Sequence, residues 1–197
     1  MKYELYVCDC ETTGLLAPVH SPVEISIYRL STDEQRTWFL RPLNFAAIST
    51  DALRVNGLKI EDLKGLTKEG REKYRDPSQV LVEIENWIMN DGCPSDLRML
   101  VGQNVPFDKG MLEALWEKCG TLETFPFSRK YSLDTMGIEL FLDLVREQES
   151  EGYSLRNLVK KYALKNEKAH SAEADTKVTM QVFRKQISTF QSLLKTG

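Results

Sequence analysis

The distribution of apolar and polar residues in the first 40 positions predicts three β-strands. Residues 3–10 form a largely apolar run, residues 23–30 alternate around Ile25 and Ile27, and residues 36–40 form a third short stretch. Gly, Pro, Ser and Asp occupy the connecting segments, which is typical of turns. The pattern therefore predicts an antiparallel meander of three strands.

After residue 40 the pattern changes to helices that alternate with short strands. Between 76 and 90, apolar residues at Val80, Ile84, Trp87 and Ile88 fall on one helical stripe, and Pro77 suits the first turn. A short helix is expected between Ser49 or Thr50 as N-cap and Gly57. Strands are also expected within 97–105 and 131–135, and helices within 106–120, 135–145, 154–164 and 170–194. This order predicts an α/β fold with a mixed sheet covered by helices on both faces.

Length and composition suit one soluble globular domain over residues 1–197. The chain is 42% hydrophobic and 28% charged, which is ordinary for such a domain. Its net charge of −3 argues against a protein that coats nucleic acid through bulk positive charge. A local basic patch or bound metal ions could still hold a phosphodiester, so a nucleic-acid enzyme is not excluded.

The cysteines and the amino terminus indicate a reducing compartment. No CxxC or Cys/His spacing connects the four cysteines, so neither a zinc site nor a disulfide framework is expected. Met1 leads directly into a strand without the basic and apolar regions of a signal peptide, and no segment reaches about 18 apolar residues. We therefore expect a cytoplasmic protein that makes no contact with a membrane.

Four carboxylates occur where strand ends and helix starts meet loops. Asp9 and Glu11 end the first strand two residues apart and so point to the same side, Asp108 starts a helix after an apolar strand, and Asp175 lies early in the last helix. Taken alone, each of these carboxylates could have a purely structural role in a turn or at the start of a helix, where acidic side chains are favoured. Together, without basic partners, they are typical of a site for a hard cation such as Mg²⁺ or Mn²⁺.

The two histidines differ in position. His170 stands five residues before Asp175, at the entrance to the last helix, where it could serve the site or could be a capping residue. His20 lies in the loop LAPVHSPV, and we assign it no role.

Three segments carry a family resemblance. DCETTGL resembles a first exonuclease motif (Asp-x-Glu-Thr-x-Gly), VGQNVPFDKGML a second (Asn, then Phe-Asp) and HSAEAD a third (His-x4-Asp). The segments VNGLKIEDL, YSLDT and SLRNLVKKYAL are also similar to family segments, in the same order. The chain thus resembles the DEDDh 3′–5′ exonucleases, the family of the bacterial DNA polymerase III epsilon proofreading subunit and RNase T, from about residue 3 to 190. His170 stands at the DEDDh position, whereas Ser171 replaces the tyrosine of the sister DEDDy group.

The resemblance implies an RNase H-like fold with a five-stranded mixed sheet, and it implies specific roles. Asp9, Glu11 and Asp175 would hold one divalent cation, and Asp9 with Asp108, in a more water-mediated role, would hold a second about 3.5–4 Å away. His170 would be the general base, because histidine side chains exchange protons near neutral pH. The expected activity is metal-dependent removal of nucleoside 5′-monophosphates from a 3′ end.

The resemblance also implies a substrate pocket, whose predicted residues are Thr12, Thr13, Leu15, Asn104 and Phe107. For Phe107, a structural role as a core residue of its helix is an alternative of nearly equal weight to substrate binding. Candidate phosphate contacts are Arg129, Lys130, Lys165 and Lys168, for each of which a solvated surface position is the simpler account. Asn56 stands where many relatives have His, which puts a substrate contact at that position in doubt.

Substrate and partners are less constrained by the sequence. DCETTGL is more similar to the DNA-directed members than to the DLEMTGL form of oligoribonucleases, so single-stranded DNA 3′ ends are favoured over RNA ends. A catalytically inactive binding module is a third alternative, but it predicts a missing ligand. The chain ends near its last helix without a long tail, which favours a stand-alone enzyme over an obligate polymerase partner. Because several members of the family dimerise, a homodimer is also open.

Overall fold

One five-stranded sheet forms the centre of the protein. The computed structural model describes residues 3–121, 125–166 and 170–196. The strands are β1 (Glu4–Thr12), β2 (Pro22–Arg29), β3 (Glu34–Phe39), β4 (Arg98–Gly102) and β5 (Ser132–Asp134). Their spatial order is β3-β2-β1-β4-β5, with antiparallel pairing of β1 to β2 and of β2 to β3, and parallel pairing of β1 to β4 and of β4 to β5. The predicted meander and mixed sheet are confirmed.

The helices follow the predicted order. They are α1 (Thr50–Val55), α2 (Ile60–Leu63), α3 (Lys68–Lys73), α4 (Pro77–Met89), α5 (Val105–Cys119), α6 (Thr135–Arg146), α7 (Leu155–Lys161) and α8 (Ala172–Thr196). The sequence did not predict α2 and α3, because such short helices carry too few residues for a periodic apolar stripe. Within the described ranges, no helix is long and apolar enough to cross a membrane.

Local hydrogen bonds explain where several helices begin. The Ser49 side chain, rather than that of Thr50, accepts the hydrogen bond from the backbone N–H of Ala52 and so caps α1. Asp76 caps α4 in the same way, with Pro77 at a position where no N–H is needed. These caps satisfy backbone donors that have no partner inside the helix.

The two faces of the sheet are covered by different helices. On β1, Tyr6, Cys8 and Cys10 belong to the large core formed with α4 and α5. Val7 belongs to a second core with Met180 and Phe183 of α8. Because side chains alternate along a strand, Asp9 and Glu11 extend from β1 on the Val7 side, toward α8. The helices on both faces agree with the predicted fold class.

A buried ion pair joins β4 to the end of α4. The guanidinium of Arg98 donates to both carboxylate oxygens of Asp91, at 2.6 Å from Nη2 to Oδ1 and 2.8 Å from Nε to Oδ2. The hydroxyl of Tyr6 on β1 donates to the same carboxylate at 2.7 Å. Both charged side chains are almost fully buried. Each charged group therefore depends on the other for its stabilisation, because water cannot replace either partner.

We expect Asp91→Ala to destabilise the protein by about 3–5 kcal/mol, because it leaves the Arg98 guanidinium buried without a counter-charge. Urea denaturation followed by circular dichroism measures this change. The matched control is Asp51→Ala, which breaks the exposed pair with Arg54 and should cost at most about 1 kcal/mol. Equal effects of the two substitutions would show that the buried pair does not support the fold.

Candidate active site

Three of the predicted carboxylates converge at one end of the sheet. Asp9, Glu11 and Asp175 each offer an oxygen, and these oxygens all lie within 4.8 Å of one another. Asp9 and Glu11 come from the end of β1, and Asp175 comes from the first turn of α8. Residues more than 160 positions apart in the chain thus form one cluster of negative charge.

Asp108 lies next to this cluster but outside it. It sits in the first turn of α5, is buried, and its Oδ1 accepts a hydrogen bond from the backbone N–H of Cys10 at 2.9 Å. Cys10 separates Asp9 from Glu11 in the sequence. The hydrogen bond therefore holds the fourth carboxylate against the same end of β1.

The electrostatics of the site favour protonation or a bound cation. Burial, followed by the negative charges of Asp108, Asp175 and Glu11, raises the pKa of Asp9 well above its usual range. Burial and the charges of Glu24 and Asp175 raise the pKa of Glu11 to about 7. Burial also raises the pKa of Asp108 to about 8, although the hydrogen bonds that it accepts oppose the change.

No basic side chain compensates these four carboxylates within the described parts of the chain, where no Lys or Arg nitrogen lies within 4.0 Å of them. Buried carboxylates without paired cations are costly, because charge is poorly solvated in a protein interior. A set of oxygen donors with excess negative charge suits a hard divalent cation.

Backbone and side-chain donors orient Asp175 and place His170 beside it. Asn166 Nδ2 donates to Asp175 Oδ1 at 2.6 Å, and the backbone N–H of His170 donates to Oδ2 at 3.1 Å. His170 has a positive φ of 68° and an exposed side chain. Such a backbone conformation is uncommon outside glycine and is concentrated at functional sites.

Lys168, a candidate phosphate contact, lies outside the described residues.

Glu24 is a fifth carboxylate at the site that the sequence analysis missed. It faces Glu11 across the β1–β2 pairing and is buried. Its Oε1 accepts hydrogen bonds from the hydroxyl of Ser171 and the backbone N–H of Glu173, both at 3.3 Å. Glu24 therefore ties the start of α8 to the sheet beside the cluster. The signal in the sequence was a single acidic residue within the apolar strand segment PVEISI.

The turn after Glu11 uses most of its polar groups internally. The Thr12 hydroxyl donates to the carbonyl of Gly14 at 2.8 Å. The backbone N–H of Thr13 donates to the carbonyl of Ser21 at 3.0 Å, and its hydroxyl accepts from the N–H of Ser21 at 3.1 Å. Leu15 is 78% exposed. Among the predicted pocket residues of this turn, Leu15 thus offers the freest contact surface.

His20 supports this turn, contrary to our expectation that it has no role. Its ring lies so close to Gly14 that a Cβ on that residue would stand 2.3 Å from ring atoms. Its Nδ1 also accepts a hydrogen bond from the backbone N–H of Leu16 at 3.0 Å. A side chain at position 14 would require the His20 ring to move, so His20 and Gly14 pack closely in the turn that presents Leu15.

The start of α5 provides the other side of the site. Asn104 is exposed, has a positive φ of 57° and immediately precedes α5. The carboxylate of Asp134 accepts from the backbone N–H groups of Asn104 and Val105, at 3.3 and 3.1 Å. Phe107 is half-buried and is not among the described residues of the three hydrophobic cores. Its position therefore fits a residue of the substrate pocket better than a residue of the hydrophobic core.

Asn56 contacts the turn directly. Its Nδ2 donates to the backbone carbonyl of Thr12 at 3.1 Å. The residue that departs from the family pattern is therefore a neighbour of the site, where it supports the backbone of the turn.

The candidate phosphate contacts in the loop before β5 lie near the start of α5. Lys109, the residue after Asp108, donates from Nζ to the backbone carbonyl of Arg129 at 2.5 Å. Arg129 and Lys130 are exposed, and Lys130 Nζ lies 5.0 Å from the centre of the Tyr131 ring. Their role in phosphate binding stays a prediction.

Comparison with known proteins identifies the family. The sequence matches the exonuclease family described as RNase_T over residues 6–183. A DNA polymerase III of the PolC type from Thermotoga petrophila is 29% identical over 181 residues, an alignment that covers 90% of this chain and 11% of that protein.

Solved structures of exonuclease I share the fold. The zinc-bound form of the E. coli exonuclease I–ssDNA complex has a TM-score of 0.74 at 17% identity, with 99% of this chain and 43% of that chain covered. Exonuclease I from Methylocaldum szegediense has a TM-score of 0.70 at 18% identity, with 92% and 40% covered. The chain thus spans less than half the length of these proteins, and the likeness confirms the expected RNase H-like α/β fold. With the family match covering most of its length, the chain belongs to the RNase_T exonuclease family, as its resemblance to DEDD-type 3′–5′ exonucleases indicated.

Proposed function

We propose that this protein is a metal-dependent 3′–5′ exonuclease that hydrolyses phosphodiester bonds at the 3′ ends of single-stranded DNA and releases nucleoside 5′-monophosphates. The observation that carries this proposal is the convergence of Asp9, Glu11 and Asp175, with Asp108 beside them. Membership of the exonuclease family supports the reaction type.

The donor set fits divalent cations. Asp9, Glu11 and Asp175 would hold one ion, and Asp9 and Asp108 would hold a second, with Mg²⁺ or Mn²⁺ as the ions that such oxygen ligands prefer. Bound there, two ions would activate a water molecule and stabilise the charge that develops on the leaving 3′ oxygen. The excess of negative charge among the carboxylates supports this assignment, because the cations would relieve a repulsion that the described side chains leave uncompensated.

His170 would accept the proton of the attacking water. Its backbone N–H is hydrogen-bonded to Asp175, so the residue is anchored at the cluster while its side chain stays exposed to incoming substrate and solvent. His170 also has a positive φ of 68°, which is uncommon for a residue other than glycine. This geometry supports a role as general base.

The pocket would hold the terminal nucleotide between two structural elements. Leu15 projects from the turn after β1, and Asn104 and Phe107 lie at the start of α5 on the other side of β1. An exposed apolar side chain can wedge against a base irrespective of its identity. Thr12 and Thr13 would contribute chiefly by shaping the turn that carries Leu15.

Single-stranded DNA is the proposed substrate because E. coli exonuclease I, which shares this fold, has been crystallised with a dT13 oligonucleotide. That complex has a TM-score of 0.73 at 17% identity, with 94% of this chain and 41% of that chain covered. RNA ends would require a pocket that accommodates the 2′-hydroxyl. Comparing hydrolysis of DNA and RNA of one sequence distinguishes the two substrates.

We expect Asp9→Asn to lower the rate of 3′-end hydrolysis at least about 1,000-fold, because it removes a ligand of both proposed cations and several kcal/mol of charge stabilisation. The measurement uses 5′-labelled single-stranded DNA and RNA of one sequence, with Mg²⁺, Mn²⁺ or EDTA. The matched control is Glu173→Gln, an exposed acid in the same helix turn as Asp175, which should keep the wild-type rate.

The absence of metal-dependent shortening from the 3′ end on both substrates would refute the proposed activity and would leave a binding module as the explanation. If only RNA were shortened, the proposed substrate would be RNA and not DNA, and the proposed metal-dependent hydrolysis would still hold.

We expect His170→Asn to lower the rate by about 10²–10⁴-fold and to leave thermal stability unchanged. Asparagine tolerates the positive φ at this position, so the variant keeps the backbone contact to Asp175 and removes only the proton acceptor. The pH–rate profile is the decisive measurement, because the ionisation that the histidine contributes should disappear from it. A near-normal rate across the pH range would assign the proton transfer to another group.

The raised pKa values predict how stability depends on pH and on metal. A carboxyl group with a higher pKa in the folded state stabilises the fold while it is protonated, and this contribution is lost as pH rises through the folded-state pKa. With Glu11 at about 7 and Asp108 at about 8, the metal-free protein should lose stability between about pH 5 and pH 8. The increase in Tm produced by Mg²⁺ over EDTA should grow across the same interval.

In EDTA near pH 8, Asp9→Asn should melt at least about 2–4 °C above the wild type, which is what about 1 kcal/mol produces in a domain of this size. The same variant should respond little to Mg²⁺, whereas Glu173→Gln should behave as wild type in both conditions. A Tm difference between Mg²⁺ and EDTA that is constant from acid to neutral pH would contradict the electrostatic account of the site.

A further inference from the structure

The loop that follows β1 exposes more apolar surface than Leu15 alone. Leu15 and Leu16 are 78% and 61% exposed, and Val19 of the same loop is exposed as well. Single exposed apolar residues are ordinary on a protein surface, whereas two consecutive leucines at this exposure form a contiguous apolar surface. Leu16 therefore extends the surface that Leu15 offers beside the carboxylate cluster.

The loop is closed at its base by Thr13 and Ser21. The backbone N–H of Thr13 donates to the carbonyl of Ser21 at 3.0 Å, and the backbone N–H of Ser21 donates to the Thr13 hydroxyl at 3.1 Å. From α5, Lys118 Nζ donates to the carbonyl of Pro18 at 3.0 Å. These contacts hold the base and the far side of the loop, whereas residues 14–16 are held from within it.

His20 holds Leu16 from across the loop. Its Nδ1 accepts a hydrogen bond from the backbone N–H of Leu16 at 3.0 Å. The carbonyl of Leu16 accepts from the backbone N–H groups of Val19 and His20, at 2.9 and 2.8 Å. The His20 ring also packs against Gly14, where an added Cβ would stand 2.3 Å from ring atoms. Both main-chain polar groups of Leu16 are thus bonded within the loop, while its side chain is exposed.

We propose that Leu16 is a further nucleotide-binding residue, and that His20 is the positioning residue that holds it in place. This inference rests on the proposed function, because it assigns Leu16 to the pocket for nucleotides at a 3′ end. The two exposed leucines rest against the faces of bases, a contact that any base can make. His20 touches no nucleotide and acts through the backbone of Leu16.

His20 favours binding because it orders the loop before the nucleic acid arrives. Affinity is lost when a loop and its side chains become ordered only on binding, and a loop that is already held in its bound conformation avoids this loss. The contribution of one internal hydrogen bond corresponds to a change of about 5–10-fold in an equilibrium constant.

The carboxylate cluster does not depend on His20. Asp9 and Glu11 are positioned by the pairing of β1 with β2, and the contacts between Thr13 and Ser21 involve no atom of the His20 side chain. Substitution of His20 should therefore raise KM and Kd and leave kcat unchanged, which is the signature of a lost binding interaction.

The test compares His20→Ala, His20→Asn and His20→Phe. Hydrolysis of 5′-labelled single-stranded DNA with Mg²⁺ gives kcat and KM. Fluorescence anisotropy of a 5′-fluorescein-labelled oligothymidylate gives Kd, with Ca²⁺ in place of Mg²⁺ as a cation that also takes oxygen ligands. We expect His20→Ala to raise KM and Kd about 5–10-fold. His20→Asn should recover most of this loss, because its Oδ1 can accept from the Leu16 N–H, whereas His20→Phe has a ring but no acceptor and should not.

A double-mutant cycle shows whether His20 acts through Leu16. Leu16→Ala removes the proposed base contact but keeps the backbone N–H that His20 binds, and it should raise Kd at least about 5-fold. Adding His20→Ala should raise Kd by less than about two-fold more, because residues that act through one contact are not additive. The matched control is Val19→Ala, which keeps the hydrogen bonds of Leu16 and should retain the wild-type KM and Kd.

The proposal would be overturned if His20→Ala kept KM and Kd within about two-fold of the wild type, if Val19→Ala shared the loss, or if the two substitutions of the cycle were additive. Hydrolysis by the wild type would then still support the proposed function. A wild type that binds the oligothymidylate without shortening it would refute the proposed reaction, while the Kd values still decide the roles of His20 and Leu16. If His20→Ala does not fold by circular dichroism, the comparison of His20→Asn with His20→Phe decides them. A wild type that neither binds nor shortens DNA or RNA would overturn both proposals.

Discussion

The mutual repulsion of carboxylates at the end of β1 is the constraint on which the rest of the structure depends. Asp9 and Glu11 project from the same side of this strand, and Asp108, Asp175 and Glu24 approach the same end. Such a group of charges would separate in a flexible chain, because nothing in its immediate sequence holds it together. The fold holds it by placing the acids on the central strand, which is paired on both sides, and on the first turns of two long helices.

Three of these acids are held by hydrogen bonds to neighbouring elements. The backbone N–H of Cys10 anchors Asp108, while Asn166 and the backbone of His170 anchor Asp175. Glu24 in turn anchors the start of α8 through Ser171 and Glu173. Three of the five supporting donors are backbone N–H groups, those of Cys10, His170 and Glu173, so the main chain itself helps to position the carboxylates. Rigid placement of ligands is what a metal site with defined geometry requires.

Helix α8 connects the carboxylate cluster to the core of the protein. Its first turn carries Asp175, and its middle packs Met180 and Phe183 on the sheet. The polar contacts among α6, α7 and α8 fix the rotation of α6 and therefore decide which of its sides meets water. One long helix thus carries a ligand of the carboxylate cluster and packs on the sheet that holds the other acids.

The amino-acid sequence by itself determined the strands, the long helices and the four principal acids, because these features depend on local periodicity and on short motifs. It predicted the shared direction of Asp9 and Glu11 from the two-residue repeat of a strand, without knowledge of any neighbour. It did not predict the short helices α2 and α3, the supporting roles of Glu24, Asn166 and Asn56, or the contact between His20 and Gly14.

Those features were decided by the tertiary structure, because each depends on which segments meet across the sheet. Glu24 lies beside Glu11 only in the observed strand register, and Asn166, which follows α7, reaches Asp175 only in the folded protein. The outward side of α6 follows the same rule. Its sequence contains both an apolar and an acidic stripe, and the partners Lys161, Tyr162 and Gln186 draw the acidic stripe inward. Local pattern therefore specifies the elements, whereas long-range polar pairing specifies how they face one another, because an unpaired buried charge costs more than an exposed apolar side chain.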